Sequence, residues 1–361
     1  MTGIIKDSIR SMAALAVVLA AALSCARELE PVKVTMDATV AKVSPKQALI
    51  QCSMQIPEKT DTMKVEYGII LSGSEELSQK NSLEIPAESR SSSSFRIRLE
   101  HLDCGTQYFY RIYFKYDGEY QFGQTNSFRT ADLPKGAVDL GLSNDVLWAD
   151  RNLGAEGIEG LGDGYAFGET APKERYLAKN YRFFDKYESH GRMSISKYTF
   201  DDGKKKGGWY DADGNFVGDG KVVLDPEDDA ATRQLGDGWR IPRPEDFYVL
   251  HNECRIFFDR VDGVNGAFAY TRFGEIFLPF PYQYIDDRKI LQEGMGIYRT
   301  SQLWAGKKPV VMEQASDECM VYWFLRTNLD INTIDAIIAR NSFRELGLAI
   351  RPVYDCNIET D

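Results

Sequence analysis

Three histidines, six cysteines and a few acidic or glycine-rich runs are the residues in this chain of 361 that have the types for chemistry. His101, His190 and His251 stand far apart, and none belongs to an HExxH or to a Ser-His-Asp order. The usual bases of metallopeptidases and acyl-transfer triads are therefore not in evidence. Cys25, Cys52, Cys104, Cys254, Cys319 and Cys356 include no CxxC and no histidine at ligand spacing, which argues against structural zinc. Five of them lie beyond Cys25, an odd number, so at least one stays free or pairs outside the chain, and the sequence assigns no connectivity. Gly162, Gly164 and Gly168 lack the GxGxxG spacing and are followed by no GK[ST], so they read as turn glycines and not as a phosphate loop. In "DADGNFVGD", Asp211, Asp213, Asn215 and Asp219 fall at positions 1, 3, 5 and 9 of an EF-hand count. The glycine is misplaced and Val222 stands where the bidentate glutamate belongs, so an acidic turn is the plainer reading and calcium the only cofactor left open.

Those residues need elements to hold them, and "GDGWRIPRPEDF" at 236–247 supplies the clearest. Gly236 and Gly238 make a turn and Trp239 to Ile241 a short strand, which Pro242 stops because it has no N–H to donate. Pro244 suits the first position of a helix, and Glu245 and Asp246 suit the positive end of its dipole. Phe247, Leu250, His251 and Cys254 then share one face, which places His251 in the core. The acids of "LDPEDD" are positioned to cap a helix through Ala230 to Arg233.

At the N-terminus Lys6 and Arg10 precede "SMAALAVVLAAAL", an apolar run too short to span a bilayer but suited to a signal peptide. The following "ALSCARELE" resembles a bacterial lipobox, which implies a lipoprotein signal peptide at 1–24, lipidation of Cys25 and a lipidated tether at 25–31. Acyl chains contribute about 0.8 kcal/mol per buried CH₂ and would hold the protein at a membrane. Glu28 and Glu30 resemble the acidic export signals of Bacteroides-type lipoproteins, which implies a bacterial outer membrane location with the protein surface exposed. The net charge of −11 leaves no basic stripe for phosphates, so nucleic acid is not an expected partner and the membrane is met through the lipid alone.

From Val32 to Thr130 short alternating runs separated by polar turns predict an antiparallel sandwich. Ile50, Cys52 and Met54 share one face, Phe95, Ile97 and Leu99 another, and Tyr108, Tyr110, Ile112 and Phe114 a third, before a turn at Asp117 and Gly118. "LDCGTQYFYRIYF" followed by "SFRT" resembles the last strands of a fibronectin type III domain, with Leu102 as the leading leucine and Tyr108 as the corner tyrosine. The resemblance covers 32–131 and implies a spacer or a protein-binding module; Cys104 stands near where proline is common. Residues 132–136 form the linker, punctuated by Pro134 and Gly136.

"VDLGLSNDVLWADRNLGA", "GDGYAFGET", "LDPEDDAATRQLGDGWRIPRPEDF", "EIFLPF", "GIYRTSQLW" and "GLAIRPV" together resemble the FISUMP domain of Bacteroidetes and Fibrobacter surface lipoproteins, over 137–356 with a tail at 357–361. The expected fold class is thus an N-terminal all-β immunoglobulin/fibronectin III-like sandwich plus a C-terminal α+β C-type-lectin-like domain. The second resemblance is shared with the formylglycine-generating fold, but Cys254, Cys319 and Cys356 do not stand in that family's Arg-x-x-Cys-Gly context, so a formylglycine-type oxidoreductase ranks third. The calcium-site triplets of animal C-type lectins are also absent. A non-catalytic cell-surface lipoprotein that binds a glycan or protein ligand through C-terminal loops is the leading expectation. A structural or tip component of an adhesion or pilus assembly is the alternative. Aromatic and arginine side chains make the best anchors for such a ligand. Tyr298, Arg299, Trp304, Tyr322, Trp323 and Arg326 are the candidates, with at least half of them expected in the core.

Overall fold

The computed structural model describes residues 32–359, apart from 59, 79, 88–92, 188–192, 202, 204–208, 292–293, 304–317 and 326–335, and gives the backbone alone for 318–325 and 336–341. Contacts divide the described residues into two compact units, one within Met1–Thr39, Gln51–Ile97 and Phe109–Asn126, the other within Val40–Ile50, Arg98–Tyr108 and Ser127–Asp361. Strands predominate. Among the described residues there are two α-helices, and no helix is long and apolar enough to cross a membrane.

Period-two alternation builds the N-terminal strands: β1 (Thr35–Val43), β2 (Ala48–Gln55), β3 (Val65–Ser72), β4 (Leu83–Pro86), β5 (Ser94–Leu99), β6 (Gln107–Tyr116), β7 (Glu119–Phe122) and β8 (Asn126–Arg129). They form a three-stranded sheet β1-β2-β5 and a five-stranded sheet β4-β3-β6-β7 with β8 on β6, the layers of a β-sandwich. Ile50, Cys52 and Met54 of β2 and Phe95, Ile97 and Leu99 of β5 are all buried, as are Tyr110, Ile112 and Phe114 of β6. Each such aliphatic or phenyl side chain contributes roughly 1.5–3 kcal/mol by leaving water. Asp117 (φ 49°) and Gly118 (φ 93°) are both left-handed, the two-residue turn whose twist matches a hairpin, and set Tyr116 opposite Glu119. Tyr108 stacks on Phe128 with centroids 5.6 Å apart, and its hydroxyl accepts the Asp103 N–H at 3.0 Å.

In the second unit β9 (Ala137–Val138) and β10 (Val146–Ala149) belong to a four-stranded antiparallel sheet in the order Trp239–Arg240, Val353–Asp355, β10, β9. Helix α1 (Ala230–Leu235) is capped by Asp229, whose carboxylate accepts the N–H groups of Ala231 and Thr232 at 2.9 and 3.0 Å. The same carboxylate takes the Ile241 N–H at 2.8 Å, so one side chain ties the helix start to the end of the Trp239 strand.

Helix α2 (Pro244–Glu253) starts at its proline, as the sequence predicts. Asp246 accepts the Arg243 N–H at 2.7 Å and lies 2.6 Å from Arg240, which also reaches Asp355 at 2.8 Å. The Arg-Ile-Pro-Arg-Pro stretch is a stiff corner held by ion pairs. Phe247 and Leu250 are buried and Cys254 is half-buried, but His251 is exposed, against the expectation that it packs in the core. The buried stripe is flanked by Val249 and Asp246 on the other side, which turns position 251 to solvent.

Arg255–Val261, Val264–Tyr270 and Glu275–Pro279 form an antiparallel meander, and Met295–Leu303 pairs with Glu318–Leu325, which pairs with Ala336–Phe343. The core around β10 joins Trp148 edge-on to Phe247 (5.1 Å) with Leu250, Phe258, Leu278 and Val353.

Candidate functional site

The structure buries two of the residues that the sequence offers as ligand anchors. Tyr298 and Arg299 are each 0 % exposed. The Tyr298 hydroxyl donates to the Pro279 carbonyl, and Arg299 donates through Nε to Tyr165 O (2.9 Å) and through Nη2 to Leu346 O (2.6 Å). Most residues of the strand Met295–Leu303 are buried on both faces, so alternation does not bring every second side chain to the surface. Tyr298 and Arg299 are architectural, a correction to the loop-anchor reading. Tyr322 and Trp323 lie on a strand whose side chains are not described, and Trp304, Arg326, Cys25 and His190 lie outside the described residues.

The acidic stretch folds as a turn. Asp211 accepts the N–H groups of Asp213 and Asn215 at 2.9 and 2.8 Å and the Asn215 amide at 3.0 Å, which holds its carboxyl below the usual range. Asp219 takes the N–H groups of Tyr198 and Thr199, both at 2.8 Å, and that of Lys221 at 3.1 Å. Burial pushes the Asp219 carboxyl up, but these donors hold it lower overall. The carboxylates of the EF-hand count thus already satisfy backbone donors instead of converging on an ion. Among the described residues the carboxylates that do converge are Asp225, Glu227 and Asp228, and a lysine supplies the cation there. Lys197 Nζ lies 2.7 Å from Asp225 and 2.6 Å from Asp228, and Arg182 lies 2.7 Å from Asp228.

One acid–base pair escaped the sequence. His101 Nδ1 lies 2.9 Å from Asp145 Oδ1, and the buried Asp145 also accepts the His101 N–H (3.1 Å) and the Gln47 amide (3.0 Å). The partners are 44 positions apart, so no local motif signals them.

The surface feature with the chemistry of recognition is an open cleft of about 620 Å³ in the second unit, between residues 140–142 and the turn 271–274. The turn closes through the Thr271 N–H to Gly274 O at 2.9 Å, and the Thr271 hydroxyl donates to Leu140 O at 2.7 Å, fixing one wall to the other. Phe273, 56 % exposed, lies across Gly141, where a Cβ would come 2.3 Å from its ring and where φ is +64°. Glycine is favoured at that position on both counts. Arg272 stacks over the Phe273 ring at 4.6 Å. Arg255 sits directly across the strands from Tyr270, and Glu253 closes the end, its carboxylate accepting the Ser143 N–H at 2.8 Å. Among the described residues neither Arg255 nor Arg272 has a carboxylate partner, so two guanidinium groups and two aromatic rings face one cleft. The Arg-Phe pair stands in the sequence as "YTRFGE", but its opposing wall comes from over 100 positions away.

No family model and no curated protein matches the chain. Solved structures with local similarity include the sensor domain of the anti-sigma factor RsgI4 of Pseudobacteroides cellulosolvens, 10 % identical, covering 28 % of this chain and 76 % of that one with a TM-score of 0.22. A redesigned β-sandwich protein is 16 % identical and covers 27 % of this chain and 93 % of that one with a TM-score of 0.21. At such scores the sandwich rests on the chain's own strand pairings.

Proposed function

We propose that the chain is a non-catalytic surface lipoprotein of a bacterial outer membrane, anchored through Cys25, that binds a glycan or protein ligand with its C-terminal part. On this reading residues 32–131 are a fibronectin type III-like spacer and residues 137–356 a C-type-lectin-like FISUMP domain. The hydrogen bond from the Asp103 N–H to the Tyr108 hydroxyl favours the spacer, because a tyrosine bonded to backbone a few residues upstream is how such corners are built.

The cleft carries the binding reading. Exposed aromatic rings beside arginines supply rigid area, and a guanidinium fork pairs bidentately with a carboxylate. The ligand chemistry that fits is a carboxylate-bearing sugar or an acidic peptide segment, drawn to a cleft where two guanidinium groups outnumber the Glu253 carboxylate on a chain of net charge −11.

The test is a glycan array and an acidic-peptide panel probed with residues 26–361 and with Phe273→Ala and Arg272→Ala. Binding that falls at least tenfold in both variants, about 1.4 kcal/mol, supports the cleft. Binding that is equal in all three proteins rejects it, and incorporation into fibres without any ligand binding supports the adhesion or pilus component instead.

A further inference from the structure

We propose that Cys104 and Cys356 are a disulfide-forming pair, a modification site that covalently closes the second unit around the turn at residues 44–47. This goes beyond the binding reading and does not depend on it.

Both cysteines pack into one apolar cluster, with Trp239, Leu147 and Ala137; Cys356 is 0 % exposed and Cys104 is half-buried at its margin. A short hydrogen-bonded path joins the chain beside one to the chain at the other. The Gly105 N–H donates to Ala131 O (2.8 Å), the Ala131 N–H to Ser44 O (3.3 Å), and the Ser44 hydroxyl to the carbonyl of Cys356 itself (2.6 Å). On the near side, the Leu102 N–H donates to Lys46 O at 2.9 Å. The Cys356 thiol also lies within electrostatic reach of Cys104. Burial pushes the Cys356 thiol up, and the neighbouring Cys104 is the next cause. The other described cysteines meet carboxylates instead: burial and then Asp37 push the Cys52 thiol up, and burial and then Glu253 that of Cys254.

The two thiols are not equivalent, and the difference gives the reaction an order. Burial and Asp139 push the Cys104 thiol up while Lys46 pulls it back, and Cys104 alone of the two reaches the margin of the cluster. Cys104 loses its proton and attacks one sulfur of a small disulfide such as oxidised glutathione, releasing one glutathione thiol. Cys356 then loses its proton and attacks the Cys104 sulfur, expelling the second. Two protein thiols are oxidised to one disulfide, one donor disulfide is reduced to two thiols, and the protons pass to the two departing thiolates.

The full chain is purified without reductant, incubated with oxidised glutathione, denatured, alkylated, digested and read by mass spectrometry. The expected result is a Cys104 peptide linked to a Cys356 peptide, lighter than the two thiol peptides by two hydrogens, with both sites protected from alkylation. Thermal unfolding of the oxidised protein moves upward relative to the same protein in reductant, and the difference vanishes in Cys104→Ser. Recovery of both residues as alkylated thiols overturns the proposal. So does Cys104 that keeps glutathione without passing it on, or that pairs with another cysteine.

Discussion

Arg351 shows at the scale of one residue how this chain uses its guanidinium groups. It is fully buried, and its donors are taken by Asn152 Oδ1 at 2.8 Å, Ala149 O at 3.1 Å and Phe277 O at 2.6 Å. Burial draws its pKa down, since a cation out of water is costly. The fork ties the chain just before the closing strand to two other segments, β10 with its sequel and the meander. Replacing it with methionine keeps much of the volume but leaves three buried acceptors unmet, each worth about 1–3 kcal/mol. Arg351→Met is therefore expected to lower the unfolding free energy by about 3 kcal/mol or more in urea titrations, and Arg351→Lys by nearly as much because an ammonium lacks the fork geometry. A loss below about 1 kcal/mol would show that water reaches the carbonyls.

At the scale of elements the same logic gives Asp229 more weight than an ordinary cap. Losing an N-cap side chain costs about 0.5–2 kcal/mol, but Asp229→Ala also strips the acceptor from the Ile241 N–H. The expected cost is about 2–3 kcal/mol by thermal or chemical denaturation, and asparagine is expected to restore only the cap, because its one acceptor oxygen serves the Ala231 and Thr232 N–H groups while its NH₂ meets the Ile241 N–H. Caps, helix-starting prolines and alternating strands were legible in the sequence because their causes are local: Asp229 and Pro244 act within a few positions, and Ile50, Cys52 and Met54 follow the pleat. The exposed His251 and the buried Tyr298 and Arg299 were not legible for the opposite reason. Which edge of a helical stripe turns inward, and whether a strand is covered on both faces, depend on elements distant in sequence. The cleft was missed on the same ground, since Phe273 acquires its meaning from Gly141.

For the whole molecule the question is what acid does to a chain with 54 acidic residues. Neutralising carboxylates relieves the repulsion of a net charge of −11, which taken alone would stabilise the fold on acidification. Specific pairs act the other way. The contacts of Lys197 with Asp225 lower that carboxyl, as do those of Lys221. For Asp228, 0 % exposed, burial pushes upward, yet Lys197, the Tyr198 hydroxyl and Arg182 hold it below the ordinary value. Asp355 is likewise raised by burial and drawn lower overall by Arg240. In each case the unfolded chain binds more protons than the folded one, so the stabilisation is present above the unfolded pKa near 4 and is lost as pH falls through the folded value. Repulsion between surface charges is screened beyond about 8 Å at physiological salt, whereas the contacts at Asp228 are under 3 Å and its own carboxylate is out of water, so the pairs dominate. Unfolding free energy is therefore expected to stay level from neutral pH to about 5 and to fall steeply below about 4. Lys197→Met should move that acid transition to higher pH, as followed by intrinsic tryptophan fluorescence, and should do so almost equally at low and high salt. A shift that high salt abolishes would assign the effect to the surface charge instead.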